Sequence, residues 1–235
     1  MRPRHEVAAL VLGAALLFVA ANVAKTAIAA ALMPGYWQAR MREPMLPNGL
    51  RLVAIGDSSA IGVGADRPTD GFVGRIAGYV AERTGRPVHI ANVSVGGATA
   101  ADIVSAQLPQ VELDTADLVI VAHSADLTSR VPRDVFRADL ARLVDALPAQ
   151  RTVYSDLPKL PGWEAYQAIL EETTDARGIR RADFASVFDR EGRRLDIFSW
   201  LPPHLNSRGY WYWFLAFRPQ VDAILDRLAA GEVSS

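Results

Sequence analysis

Short apolar runs alternate with longer amphipathic stretches along most of the chain. The short runs are rich in β-branched side chains and bounded by turn residues, which is typical of buried strands, whereas the longer stretches repeat apolar residues at helical spacing. This pattern predicts strands at residues 52–55, 88–93, 118–122 and 152–154, and a weaker one at 182–187. It predicts helices at 71–83, 100–108, 132–147 and 163–176, and a last helix from 207 to about 230.

The order of these elements indicates the fold class. Strands that alternate with helices pair in parallel and are joined by right-handed crossovers. We therefore predict one α/β domain over residues 51–235, a flavodoxin-like three-layer α/β/α sandwich with a mainly parallel sheet.

The N-terminal residues follow a different pattern. Residues 7–24 form an uncharged run of 18, and residues 27–33 continue it beyond Lys25 and Thr26. Eighteen residues is near the lower limit for crossing about 30 Å of hydrocarbon at about 1.5 Å per residue. We predict that residues 1–33 are a single-pass membrane anchor, in contact with lipid through residues 7–33. The alternative is a signal sequence cleaved near residues 27–29, which would make the protein secreted.

Residues 34–50 contain three prolines and show no clear period. They are predicted to be a linker between the anchor and the domain. Tyr36 and Trp37 lie where aromatic side chains often occupy the membrane interface.

Composition narrows the possible partners. The formal net charge of −1 over 235 residues provides no basic field, so we expect no nucleic-acid partner. The chain has no cysteine, which excludes disulfides and thiolate metal sites. No metal site, P-loop or dinucleotide motif is present in the sequence, and we expect neither metal nor cofactor. Arg193 and Arg194 are interpreted as solvated.

Candidate chemistry begins where the first strand ends. Gly56, Asp57 and Ser58 follow its apolar residues, and two more glycines come at Gly62 and Gly64. A serine on a turn at the carboxyl edge of a parallel sheet lies where open α/β folds bind ligands.

Four blocks, GDSSAIGVG, NVSVGGATAAD, DLVIVAHSADLT and PPHLNSRGY, resemble in order and spacing the blocks of the SGNH (GDSL) hydrolases. The resemblance spans residues 51–210. It implies the SGNH type of α/β/α fold, with Ser58 as nucleophile, His204 as base, and the backbone N–H groups of Ser58 and Gly97 as oxyanion donors. Asp57 is a possible supporting residue. The resemblance also implies that the domain faces the extracytoplasmic side.

Two positions depart from the family pattern. The asparagine that donates to the oxyanion is replaced by Ala125, and His123 and Ser124 are the candidates for a replacement donor. The aspartate three residues before the catalytic histidine is replaced by Leu201. Its main-chain carbonyl and the Asp196 carboxylate are the candidates for orienting the ring.

We accordingly predict a serine esterase that hydrolyses acyl esters of lipid or of acylated envelope glycan by a Ser-His mechanism. Two alternatives stay open: a catalytically impaired binding domain of the same fold, and an acyltransferase acting on a cell-envelope sugar. The aromatic run at residues 210–217 is interpreted as core, with a wall of an acyl pocket as the alternative.

Overall fold

A computed structural model describes residues 3–191 and 195–231. Its centre is a parallel five-stranded sheet in the order β2-β1-β3-β4-β5. The strands are β1 (Leu50–Gly56), β2 (Val88–Asn92), β3 (Leu118–Ala122), β4 (Thr152–Ser155) and β5 (Arg180–Ala182). The interpretation of Arg193 and Arg194 as solvated lies outside the described residues.

Helices flank both faces of this sheet. They are α1 (Pro3–Met41), α2 (Ser58–Ile61), α3 (Phe72–Thr84), α4 (Ala100–Asp102), α5 (Ala125–Thr128), α6 (Arg133–Asp145), α7 (Trp163–Asp175), α8 (Phe184–Glu191) and α9 (Ser207–Ala229). A π-helical turn, Ile103–Gln107, continues α4. Short 3-10 turns lie at Pro68–Asp70, Leu108–Gln110, Leu113–Thr115, Ala149–Arg151 and Leu195–Ile197.

Two apolar clusters, one on each face of the sheet, form the core. Successive residues of a strand point to opposite faces, so Leu52 packs with α1, α3, α8 and α9, while Val53 packs with α4, α6 and α7. The central strands are thus buried on both faces, which explains their continuous apolar runs. The predicted three-layer α/β/α sandwich is confirmed.

The prediction of a strand at residues 182–187 is wrong over most of its length. The strand ends at Ala182, and α8 begins at Phe184. The Asp183 carboxylate accepts a hydrogen bond from Ser186 N–H at 2.9 Å, which is a typical helix-capping contact. Phe184 then stacks on Trp213 with ring centroids 4.3 Å apart, so packing in the core selects the helix.

The N-terminal helix extends further than the sequence predicts. It continues to Met41, so the first part of the predicted linker is helical and the irregular segment covers residues 42–49. Met33 and Trp37, one turn apart, are buried against the domain, and the Trp37 Nε1–H donates to Ile61 O at 2.8 Å. The assignment of Trp37 to the membrane interface is therefore wrong, because its side chain belongs to the core. The segment Ala8–Met41 is long and apolar enough to be a membrane anchor or a signal sequence.

Candidate active site

Ser58 and His204 meet at the carboxyl edge of the sheet. Ser58 begins α2 directly after β1, and His204 lies in the loop that precedes α9. The distance between His204 Nε2 and Ser58 Oγ is 2.9 Å, although 146 positions separate them in the chain. Both side chains are half-buried.

The Asp57 carboxylate fixes the turn that carries Ser58. One oxygen accepts hydrogen bonds from Ser59 N–H at 2.8 Å and from the Ser59 hydroxyl at 2.7 Å. The other accepts from Ser124 N–H at 2.7 Å and from the Ser124 hydroxyl at 3.1 Å. Asp57 is buried and thereby ties the loop after β1 to the loop after β3.

A main-chain carbonyl orients the His204 ring. Nδ1 lies 2.8 Å from Leu201 O, which also accepts the His204 backbone N–H at 3.0 Å. Because a carbonyl oxygen can only accept, the ring proton is on Nδ1, and Nε2 directs its lone pair at the Ser58 hydroxyl. The Asp196 carboxylate is engaged elsewhere, in an ion pair with Arg208 at 2.7 Å.

Gly64 allows the first and last loops to pack closely. Its φ is +97°, and a Cβ at this position would lie 2.3 Å from Leu205 O and 2.8 Å from the Ser199 side chain. Only glycine tolerates both this backbone angle and this contact. The approach of the two loops brings the histidine within reach of the serine.

Ser58 and Gly97, whose backbone N–H groups are the predicted oxyanion donors, line the same cavity. Gly97 occupies the third position of a turn closed by a hydrogen bond from Ala98 N–H to Val95 O, and its φ is +76°. A positive φ at this position is typical of a type II turn and favours glycine. Among the described residues, neither Ser58 N–H nor Gly97 N–H donates a hydrogen bond. Both groups are thus available to a ligand.

The candidates for a replacement oxyanion donor are not available. The Ser124 N–H and hydroxyl both donate to Asp57. His123 is buried behind the site, with Nε2 bonded to the Tyr154 hydroxyl and Nδ1 3.0 Å from Asp126 Oδ2. Burial and the charges of Asp126 and Asp57 raise the pKa of Tyr154 well above its usual value, so the phenol keeps its proton.

A cavity of about 510 Å³ opens beside these groups. Ser58, His204, Gly97 and Ala125 lie on its wall, and most of its other lining is apolar. The remaining lining residues include Val63, Thr128, Pro158, Leu160, Phe184, Phe188, Phe198, Pro203, Leu205, Tyr210 and Trp213. Tyr210 and Trp213 are also buried in the core, so the aromatic run serves both as core and as cavity wall.

Two buried amides that sequence reasoning missed support the site. Gln107 is fully buried and holds the end of β1, accepting from Gly56 N–H at 2.9 Å and donating to Gly56 O at 2.8 Å. Asn92 donates to Ala60 O at 2.9 Å and accepts from Ser94 N–H at 3.1 Å. The available signal was a side-chain amide inside each predicted element, Asn92 in the second strand and Gln107 in the helix that follows it. Over residues 3–191 and 195–231, no group of three or more His, Cys, Asp or Glu side chains could hold a metal ion.

Comparison with known proteins identifies a family that matches this chain. Residues 54–212 match the model of the GDSL-like lipase/acylhydrolase family, in agreement with the resemblance of the four blocks. No curated protein matches the chain.

Solved structures share the fold at low sequence identity. The lipase Lip_vut3 from a goat rumen metagenome is 20% identical with a TM-score of 0.61, covering 72% of this chain and 96% of its own. A lipase/acylhydrolase from Enterococcus faecalis is 15% identical with a TM-score of 0.62, covering 73% and 95%. An acetyl xylan esterase from Geobacillus stearothermophilus is 16% identical with a TM-score of 0.58, covering 75% and 97%.

Proposed function

The chain belongs to the GDSL-like lipase/acylhydrolase family, and from this membership we propose that it is a serine esterase acting through Ser58 and His204. The observation that carries the proposal is the 2.9 Å contact between His204 Nε2 and Ser58 Oγ, with Nδ1 held on Leu201 O. A serine hydroxyl becomes an effective nucleophile when an adjacent base removes its proton.

The proposed reaction has two halves. Ser58 Oγ attacks the acyl carbon while its proton moves to His204 Nε2, and the carbonyl oxygen becomes an oxyanion facing the N–H groups of Ser58 and Gly97. Collapse of this tetrahedral intermediate breaks the ester bond, and His204 gives its proton to the departing alcohol. Water then attacks the acyl-enzyme by the same proton transfers, releasing the acid and restoring the Ser58 hydroxyl.

The environment of His204 sets the strength of this base. A carboxylate behind the ring would stabilise the imidazolium that forms during the reaction, whereas Leu201 O offers only a carbonyl dipole. The carbonyl still selects the correct tautomer. We therefore expect turnover below that of a complete triad, but not its loss.

The cavity supports an apolar acyl group as the substrate portion that binds beside Ser58. Much of its wall, including the rings of Phe184 and Phe188, is apolar, and the Lys159 ammonium on the same cavity is already paired with Asp189. Burial of each methylene contributes about 0.8 kcal/mol, so nitrophenyl butyrate should be a better substrate than nitrophenyl acetate.

Labelling by a fluorophosphonate together with nitrophenyl ester hydrolysis tests the proposal. Ser58→Ala should abolish both, and His204→Gln should reduce turnover by at least about 10². Ser105→Ala and His89→Gln are matched controls, since Ser105 is exposed on the π-helical turn and His89 lies on β2 beside Glu43 O. These controls should retain both signals.

A second candidate, a binding domain without turnover, is favoured by one observation, the absence of a side-chain oxyanion donor at Ala125. A wild-type protein that is folded but inert to the fluorophosphonate would overturn the esterase proposal and support this alternative.

A further inference from the structure

The globular domain contacts α1 within its apolar part. Phe18 packs edge-on against Trp200, with ring centroids 5.8 Å apart at 83°. Four turns of helix further on, Met33 and Trp37 enter the domain core on the same side of α1. The domain therefore lies alongside the helix from Phe18 onward rather than beyond its end.

This arrangement conflicts with a domain held wholly outside the bilayer. From residue 7 to Phe18 the helix rises about 17 Å at about 1.5 Å per residue. A transmembrane helix needs about 30 Å of apolar length. If α1 crosses a bilayer, the helix turns next to Trp200 must lie within it. The loop that contacts those turns then lies at the same depth.

The loop has the surface chemistry that this depth requires. Residues 198–203, which we call the tryptophan loop, contain no charged side chain. The Phe198 side chain is 39% exposed and the Trp200 side chain 42% exposed. Phenylalanine and tryptophan side chains present large apolar surfaces that lipid can cover.

Polar groups lie where the headgroups would be. A groove between α1 and the domain is lined by Asn22, Lys25 and Thr26 from the helix and by Asp66 and Arg208 from the domain. Asn22, Lys25 and Thr26 follow Phe18 along α1 by about one to two turns. The apolar contact of Phe18 with Trp200 therefore lies nearer the bilayer centre, and the polar groove lies nearer the domain side. This is the order of hydrocarbon and headgroups in one leaflet.

The tryptophan loop also borders the candidate active site. Phe198 lines both the catalytic cavity and the groove beside α1. His204 follows the loop directly, and Leu201 within it orients the ring. The tryptophan loop therefore lies beside the cavity through which a substrate would reach Ser58.

We propose that the tryptophan loop inserts into the membrane leaflet on the side where the domain lies. The catalytic cavity then opens onto the lipid and takes its ester from the bilayer. The insertion rests on α1 remaining as an anchor, and the source of the ester rests on the proposed esterase function. Two separate measurements distinguish these two parts.

Insertion is tested in the full chain, which has no cysteine of its own. Trp200→Cys, labelled with an environment-sensitive nitrobenzoxadiazole and reconstituted into phosphatidylcholine/phosphatidylglycerol vesicles, should be quenched several-fold by lipids carrying a doxyl group on the acyl chain. Trp211→Cys is the matched control, because Trp211 is exposed to 44% but lies on α9 over the Arg75 guanidinium. Equal quenching at both positions, or none at 200, would overturn the proposal.

The source of the ester is tested by kinetics. Trp200→Ser should reduce hydrolysis of a long-chain ester dissolved in vesicles at least about fivefold and leave hydrolysis of soluble nitrophenyl butyrate unchanged. An equal fall on both substrates would contradict the role of the loop in lipid access. Absence of any turnover in the wild type would defeat the esterase function while the quenching result still decides insertion.

Discussion

Ala125→Asn should increase turnover. Ala125 begins α5, is 4% exposed, and lines the catalytic cavity where related hydrolases carry an asparagine. An amide here would add a third donor to the N–H groups of Ser58 and Gly97. A carboxamide is small compared with the cavity of about 510 Å³, so the added group has space to enter.

The size of the gain follows from two opposing terms. Losing one oxyanion donor typically costs about 10²–10³ in rate, or about 2.7–4 kcal/mol. Ordering the new side chain costs about 1 kcal/mol. The remainder of about 1.7–3 kcal/mol corresponds to an increase in kcat of roughly 20- to 150-fold. Because the donor acts on the transition state, KM for nitrophenyl butyrate should change little.

Two substitutions of nearly equal size separate donation from shape. Ala125→Leu fills the same space without a donor and should leave kcat at or below the wild-type value. Ala125→Asp presents a negative charge to the oxyanion and should lower kcat further. Steady-state kinetics on the three variants, with folding checked by thermal unfolding, shows whether hydrogen-bond donation or side-chain size changes kcat. An asparagine variant that is folded and no faster than the leucine variant would refute the reasoning.

Two further predictions concern stability. Asp57→Asn replaces one of the carboxylate oxygens with an NH₂ group, leaving the backbone N–H of Ser59 or Ser124 without an acceptor. The free energy of unfolding should fall by about 2–4 kcal/mol, and a change in Tm of under about 2 °C in calorimetry would contradict it. Burial raises the pKa of Asp156, so its folded carboxyl binds a proton more tightly than the unfolded one, whose pKa is about 3.9. The contribution of the Asp156 carboxyl to stability is greatest below the unfolded pKa of about 3.9. It is lost as the pH rises through the pKa of the folded state. Asp156→Asn should therefore gain stability relative to wild type between about pH 4 and pH 7 in urea unfolding, and parallel curves would count against this.

The central layer of the fold could be predicted because its signal is local. The runs that contain Leu52, Ile90 and Ile120 are apolar on both faces, and each strand ends in turn residues, so strand positions and parallel pairing followed from the sequence. Helix α8 could not be recognised in the same way. Its Phe184 and Val187 fit a strand or a helix over so short a run, and the choice comes from stacking on Trp213 and from the Asp183 cap.

The long α1 helix and the support of the site depend on distant contacts. Pro34 and Gly35 suggest an end to the helix, yet burial of Met33 and Trp37 against residues from β1 and α2 outweighs that local preference. The two hydrogen bonds from Ser124 to Asp57 join segments 67 positions apart, and no pattern along the chain indicates them. The sequence indicated which residues to consider, and long-range packing determined their partners.

The two departures from the family pattern affect different steps of the proposed reaction. Replacing the triad aspartate by asparagine in a serine protease costs about 10⁴ because the ring then adopts the wrong tautomer. Here Leu201 O accepts a hydrogen bond from the Nδ1–H of His204, so the ring has the correct tautomer. Only the negative charge of a carboxylate behind the ring is missing. At Ala125 a whole donor is absent, and both neighbouring candidates are committed to other partners, Ser124 to Asp57 and His123 to Tyr154. The oxyanion side is therefore the weaker half of the site, and restoring Asn at position 125 should raise turnover more than placing a carboxylate behind His204.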